Sequence, residues 1–293
     1  MIGQPAPTRT VVALLDGTLL APDQPLLRPD DLGVLRGEGV FETTLVVDGI
    51  ARDLGEHLAR LGVSAALTGM AIPGPDHWRS GVAAAVEAWS GGRQMVARLV
   101  ASRGPDAGEP VCYVLGAELS PVSLRQRTDG IRVLVLDRGF TAAEAESAPW
   151  LLAGAKTLSY GVNMAALRYA TEHNADDAVF VASDGAVLEA PTSSVVIARG
   201  RTLLTPPVRG ILAGITVRRL FRAAASAGGA GFAGGRVWST AAQVLHTDDL
   251  HTADGVWLAS SARLLAPVVS IDGAPRSDGG LTPELHALLD VPS

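Results

Sequence analysis

Apolar and β-branched residues fill two early stretches, Val11-Val-Ala-Leu-Leu15 and Gly39-Val-Phe-Glu-Thr-Thr-Leu-Val-Val47, and each runs into an Asp-Gly pair, Asp16-Gly17 and Asp48-Gly49. Asp-Gly favours the tight turn of a hairpin, so both stretches are predicted to be strands of antiparallel pairs. From Leu54 to Thr68 the spacing changes, with Leu58, Leu61 and Ala65 on one face of a helix. Trp78 to Trp89 predicts a second helix, and Arg93–Ala101 and Val111–Gly116 predict two further strands. Together these elements make a small α/β domain over residues 1–117.

The next stretch, Glu118 to Gly130, is polar and contains Pro121, which predicts an interdomain linker over 118–130. A larger domain over 131–293 follows. Its predicted strands are Ile131–Leu136, Ala178–Ala182, Val195–Ala198 and Gly255–Ala259, and its predicted helices are Leu158–His173 and Thr216–Ala227. Ala223 to Gly235 is a small-residue patch expected to be a helix end and loop. No fixed-period repeat is present. The expected fold class is therefore α/β (α+β) with two domains.

Composition narrows the function classes. The chain has 293 residues, long for one ordinary core. With 47% apolar and 18% charged residues it is not a disordered chain, and its apolar runs break before the roughly 20 residues of a membrane span. A net charge of −6 and the absence of an arginine stripe interleaved with aromatics argue against nucleic acid as a partner. Neither a basic nor an apolar leader opens the chain, and Cys112 is the sole cysteine, so a cytoplasmic location without disulfides is expected.

Lysine is used once, at Lys156, within Leu151-Leu-Ala-Gly-Ala-Lys156-Thr-Leu-Ser-Tyr160-Gly-Val-Asn163. An amine led inward by an apolar run loses hydration, which lowers its pKa and makes it a nucleophile. The alternative is a lysine that snorkels at a helix entrance. Val187-Leu-Glu189-Ala-Pro-Thr-Ser-Ser-Val195 holds one carboxylate between strand-like segments, and Leu212-Ala-Gly214-Ile215-Thr216 opens a basic amphipathic helix whose start can bind an anion. Amine, carboxylate and anion-binding turn are the fixtures that pyridoxal 5'-phosphate needs. Taken singly, Glu189 could be a turn residue in solvent and Thr216 a plain N-cap.

The strings Arg36-Gly-Glu-Gly-Val-Phe-Glu-Thr43 and His57-Leu-Ala-Arg60-Leu61, the lysine and glutamate segments, and Ser260-Ser261-Ala262 occur in the order found in fold-type IV pyridoxal phosphate enzymes, which the chain resembles over nearly its whole length. That family includes aminodeoxychorismate lyases, branched-chain aminotransferases and D-amino acid aminotransferases. The resemblance implies that Lys156 binds the cofactor covalently and then moves the substrate proton. It implies Glu189 at the pyridine nitrogen, and Ile215, Thr216, Ser261 and Arg60 at the phosphate. A surface charge is the alternative for Arg60, and a buried strand-end hydroxyl for Ser261. Tyr160 matches a tyrosine near the cofactor's phenolic oxygen. Where the family commonly has Asn after the glutamate motif this chain has Ser194, and Val217 follows the phosphate-site threonine.

Neither transaminase pattern is complete around Phe41, which stands where D-amino acid aminotransferases place Tyr, or around Ser102-Arg103-Gly104. The strings from Arg36 to Thr44 and from Lys156 to Met164 look closest to aminodeoxychorismate lyases. The resemblance thus implies a lyase that makes 4-aminobenzoate and pyruvate for folate synthesis, with aminotransferase activity on D- or branched-chain amino acids as the alternative. Phe41 and Arg103 are the candidate substrate-binding residues, with an exposed arginine as the alternative reading of Arg103. The expected partner is a small-molecule amino substrate, and the family works as homodimers. His246-Thr-Asp-Asp-Leu-His251 has no third metal ligand and a histidine step that does not share a helix face, so no metal is expected and a solvated loop is. Gly33, Gly37 and Gly39 are expected to be turn glycines.

Overall fold

A computed structural model describes residues 9–226 and 237–292. The chain forms two compact units, one made of Met1–Ser120 with Ala155–Ser159, the other of Pro121–Gly154 with Tyr160–Ser293. The five residues around Lys156 thus belong to the unit built from the N-terminal part of the chain.

In the first unit the strands are β1 (Thr10–Leu14), β2 (Leu19–Leu20), β3 (Gly39–Val47), β4 (Ile50–Ala51), β5 (Gln94–Ser102) and β6 (Val111–Glu118). Among the described residues they make one six-stranded antiparallel sheet in the order β2-β1-β6-β5-β3-β4. Both Asp-Gly pairs close hairpins. Asp48 (φ 49°) and Gly49 (φ 79°) sit in the left-handed region that the tight β3–β4 turn demands. Helices α1 (Leu32–Arg36), α2 (Leu54–Leu67) and α3 (Pro75–Glu87) complete the unit. Leu58, Leu61 and Ala65 of α2 are buried as their spacing predicts, in one cluster with Trp78 and Val82 of α3 and Val40, Met95, Leu99 and Val114 of the sheet. The second helix begins earlier than its apolar pattern because Pro75 takes the first turn, where its missing N–H costs no hydrogen bond. The three glycines are not all turn residues: Gly33 lies inside α1, Gly37 caps it with φ 74°, and Gly39 opens β3.

The second unit begins with α4 (Pro121–Asp129), so the stretch expected as a linker carries a helix. Its further helices are α5 (Ala142–Ser147), a 3-10 turn (Pro149–Leu151), α6 (Gly161–Glu172), α7 (Ile215–Ser226), α8 (Thr247–Thr252) and α9 (Thr282–Leu288). Its strands are β7 (Ile131–Asp137), β8 (Asp177–Val181), β9 (Ser194–Arg199), β10 (Thr202–Thr205), β11 (Ser239–Ala242), β12 (Gly255–Ser260), β13 (Leu264–Ile271) and β14 (Ala274–Pro275). They form, among the described residues, a mixed sheet in the order β11-β10-β9-β12-β13-β7-β8, with β14 against β13. Both faces of this sheet are covered. Val195, Ile197, Val256, Leu258 and Val268 pack in one cluster with Leu250 of α8, and Val196, Leu203, Trp257 and Leu265 in another with Leu220 of α7 and Leu285 of α9. Burial on both faces is why these strands read as continuous apolar runs rather than alternating ones.

Two sequence expectations change here, and a third lies partly outside the described residues. Leu158–Tyr160 is not helical, because α6 starts at Gly161 and the residues before it pair with β3. His246–His251 is not a loop: Thr247–Thr252 is α8, closed by a capping box in which Asp249 Oδ2 accepts the His246 N–H at 2.7 Å. Of the Ala223–Gly235 patch, residues up to Ser226 end α7. The remainder, including the expected helix end at Ala227, lies outside the described residues. Among those described, no helix is long and apolar enough to cross a membrane.

Candidate active site

Two groups of residues carry the expected chemistry, one in each unit. In the first unit, Ala155–Ser159 runs beside the start of β3. Phe41 N donates to Lys156 O at 3.0 Å and Leu158 N to Gly39 O at 2.8 Å, with Thr157 bridged antiparallel to Val40. From α2, the buried Ser64 adds a third tie, its Oγ accepting the Lys156 N–H at 3.0 Å. Glycine makes this approach feasible. A Cβ on Gly39 would lie 2.5 Å from Leu158 Cδ1 and 2.6 Å from Ala101 O, and one on Gly37 would lie 3.0 Å from Ser159 Cα. Lys156 is half-buried, and its Nζ stands 4.4 Å from the centre of the Phe41 ring, so the amine meets the electron-rich face of an aromatic.

Arg60 lies on α2 one turn after His57, and both reach Glu42 of β3, whose carboxylate is fully buried. Arg60 donates from Nε to Oε1 at 2.6 Å and from Nη2 to Oε2 at 2.9 Å, while His57 Nδ1 lies 2.7 Å from Oε2. Burial raises the pKa of Glu42, but the hydrogen bonds from His57 and Arg60 and the charge of Arg60 outweigh it and hold the carboxyl down at about 2. The guanidinium of Arg60 is thereby fixed in a bidentate fork. Arg103, the candidate for a substrate carboxylate, forms an ion pair with Glu38 and donates from Nη2 to Thr68 O at 2.6 Å. Phe41 stays beside Lys156, and Arg103 is occupied with Glu38 instead.

In the second unit, Glu189 Oε2 accepts the Leu212 N–H at 3.2 Å, which ties the carboxylate to the turn leading into α7. Ile215 and Thr216, the first residues of α7, are buried. Gly214 lies so close to Ser194 that a Cβ on it would sit 2.4 Å from Ser194 Oγ, so this corner is a tight cradle walled by the Ser194 and Val217 side chains. Tyr160 donates its hydroxyl to Pro191 O at 3.2 Å, and Asn163 Nδ2 donates to the same oxygen at 2.6 Å. Ser261 sits in the turn between β12 and β13, and pairing of Ala259 with Ser194 brings that turn to the end of β9 where the cradle lies.

The sequence reading passed over Arg138. Its guanidinium stands 4.8 Å from the Phe180 ring and 5.5 Å from the Phe140 ring. Burial lowers its pKa and the nearby charge of Glu189 opposes that shift. Glu42, Ser64 and His57 were also missed as partners. Their only signal was their presence inside the quoted motif strings and helix face, which says nothing about pairing across elements.

The amino-transferase class IV family model matches residues 39–271, from the start of β3 to the end of β13. The chain belongs to the class IV aminotransferase family. A bifunctional aminodeoxychorismate lyase and D-amino acid transaminase of Mycobacterium tuberculosis is 43% identical over 279 residues, which cover 90% of this chain and 92% of the relative. A D-alanine aminotransferase of Bacillus licheniformis is 27% identical over 276 residues, 92% of each chain. A solved structure described as a hypothetical aminotransferase from Mycobacterium tuberculosis in its PLP-bound form superposes with a TM-score of 0.90 at 40% identity, covering 96% of this chain and 98% of that one. This chain has the two-sheet, mixed α/β architecture of such fold-type IV enzymes.

Proposed function

We propose that this class IV chain is a pyridoxal 5'-phosphate enzyme whose main reaction cleaves 4-amino-4-deoxychorismate to 4-aminobenzoate and pyruvate, the lyase step of folate synthesis. The observation that carries this reading is the 43% identity, over 90% of the chain, to the bifunctional lyase and transaminase. The residues present fit the cofactor. One amine, one carboxylate tied to a helix entrance, and a glycine cradle that any Cβ would close match an aldehyde, a pyridine nitrogen and a phosphate.

When bound, the cofactor supplies an aldehyde that condenses with amines and a ring that takes up electron density released by a departing proton. Lys156 Nζ would hold it and would serve as the base for the proton on the substrate ring carbon that bears the nitrogen. The electron pair freed there breaks the adjacent C–O bond, and the enolpyruvyl group leaves to become pyruvate as it is protonated. No water is consumed, and the gain of aromaticity in 4-aminobenzoate draws the step forward. Glu189 would keep the pyridine nitrogen protonated. Ile215, Thr216, Ser261 and Arg60 are the residues that would hold the phosphate, Tyr160 would serve the phenolic oxygen, and Phe41 and Arg103 would meet the substrate. For Arg103 to bind a carboxylate it must exchange its partner Glu38.

A transaminase reading is favoured by the names of the same relative and of the D-alanine aminotransferase. It would use the same residues, with Lys156 moving the proton and no leaving group expelled. Assays of the pure protein with aminodeoxychorismate, and with D-alanine plus 2-oxoglutarate, separate the two. Pyruvate and 4-aminobenzoate with negligible transamination are expected, and rapid transamination without aromatic product overturns the ranking. Lys156→Ala is expected to abolish the near-visible absorbance of the lysine-bound cofactor together with turnover. A cytoplasmic homodimer is the expected working form, which sedimentation tests.

A further inference from the structure

Helix α4 is attached to its unit in an unusual way. Of its side chains only Arg127 is buried, at 3% exposure, while Val122 and Leu124 are exposed. An amphipathic helix ordinarily docks through apolar residues. Here the docking group is a guanidinium, and it grips backbone. Arg127 Nε donates to Arg263 O at 3.1 Å and Nη2 to Ala262 O at 2.9 Å. Those carbonyls belong to the β12–β13 turn that contains Ser261.

The turn is held from a second side as well. Arg263, itself buried, donates from Nη2 to Asp177 Oδ2 at 2.7 Å and to Ser193 Oγ at 2.8 Å, and from Nη1 to Gln126 Oε1 at 3.2 Å. Asp177 opens β8 and Ser193 directly precedes β9, so the turn is locked to two strands and to α4. The next residue, Leu264, is buried with φ +63°, a left-handed conformation that a branched side chain adopts only when its surroundings impose it. Burying two guanidiniums, one on a carboxylate and the other on backbone carbonyls, is an expensive way to close a turn, since an apolar contact of similar volume would stabilise the fold as well. Such an arrangement is worth its cost where the turn must sit in one place.

We infer that Arg127, with Arg263 and Asp177, is a positioning group that fixes the Ser261 turn for the phosphate of the cofactor. This rests on the assignment of Ser261 to the phosphate made above. Neither arginine touches the cofactor. Each acts through the backbone it holds, so its loss weakens phosphate recognition and leaves the aldehyde chemistry of Lys156 intact.

The test compares Arg127→Met, Arg127→Lys and wild type as apoproteins, titrated with pyridoxal phosphate and with pyridoxal, following the near-visible absorbance of the lysine-bound form. Lys keeps the charge but lacks the rigid fork that spans the two carbonyls, so it should fold even where Met does not, and thermal melting of each apoprotein checks this. The dissociation constant for pyridoxal phosphate is expected to rise about tenfold to a hundredfold. That for pyridoxal should stay unchanged, and the rise in melting temperature that inorganic phosphate gives the wild type should disappear. Equal weakening toward both aldehydes, or no weakening toward either, overturns the inference. Failure of wild type to develop an absorbance that Lys156→Ala abolishes overturns the cofactor reading instead.

Discussion

At the scale of single residues, the strongest electrostatic feature is the carboxylate of Glu42, held at about 2 by His57 and Arg60 against the opposing effect of burial. A folded-state pKa below the ordinary value of 4.5 means that the folded chain binds this proton less readily than the unfolded chain. The stabilisation is therefore complete above about pH 4.5 and is lost as pH falls toward about 2. It is worth on the order of 3 kcal/mol. Glu42→Gln is expected to be less stable than wild type at pH 7 by about 3 kcal/mol, because it removes the charge that the half-buried Arg60 pairs with. Its stability should also fall less steeply between pH 4.5 and 2. Denaturant titrations at several pH values measure both, and parallel acid profiles for the two proteins would remove Glu42 as the origin. Cys112 shows the reverse shift: burial pushes its thiol up to about 11, so at pH 8 it should react with a disulfide reagent far more slowly than a free thiol, and at the free-thiol rate only after denaturation. Lys156 was legible as a candidate because it is the sole lysine, and Glu189 because its string falls in order with the lysine and phosphate-site strings. The Glu42–His57–Arg60 group was not, since a strand residue and a helix face meet only through tertiary packing.

At the scale of elements, the apolar runs and helical spacing that predicted β3, α2 and the long strands of the second sheet survive in the structure, because burial is what both patterns record. Periodicity failed where a partner outside the segment decides the conformation. Leu158 carries a helical pattern, yet its N–H goes to Gly39 O. Helix α4 went unseen because its docking residue is an arginine, which a search for apolar faces passes over. Gly39 is where these two levels meet. Gly39→Ala would drive a methyl against Leu158 Cδ1 and Ala101 O, and the backbone oxygen cannot rotate away. The Leu158 side chain must then turn away from β3, and β3 must part from β5 at Ala101. A loss of about 1–3 kcal/mol in stability is expected, with cofactor binding to Lys156 weakened more than this loss alone would cause. Chemical denaturation and absorbance titration of the variant check the two effects separately, and unchanged cofactor affinity would show that the close contact does not position Lys156.

At the scale of the molecule, the sequence suggested one domain over 1–117, a linker over 118–130 and a second domain over 131–293, whereas Ala155–Ser159 belongs with the N-terminal residues. Sequence reading assigns neighbours by chain order, and a short excursion from one unit into the other leaves no compositional trace. The consequence is physical: residues 1–120 alone lack part of their own unit. Without the excursion, the Gly39 carbonyl and the Phe41 N–H at the start of β3 lose their strand partners, and Ser64 Oγ loses the Lys156 amide. A chain of residues 1–120 carrying residues 155–159 on a flexible Gly/Ser tether should recover these bonds at the cost of closing one loop. Each hydrogen bond is worth about 1 kcal/mol net and loop closure offsets part of the sum, which leaves a gain of about 1–2 kcal/mol over residues 1–120 alone. Urea unfolding of the two fragments at equal concentration reads this gain as a shift in midpoint at constant slope. The tethered fragment with Gly39→Ala supplies the control, because it should fall back toward the untethered midpoint. Equal midpoints for the tethered and untethered fragments would mean that the lysine segment is carried by β3 without contributing to it.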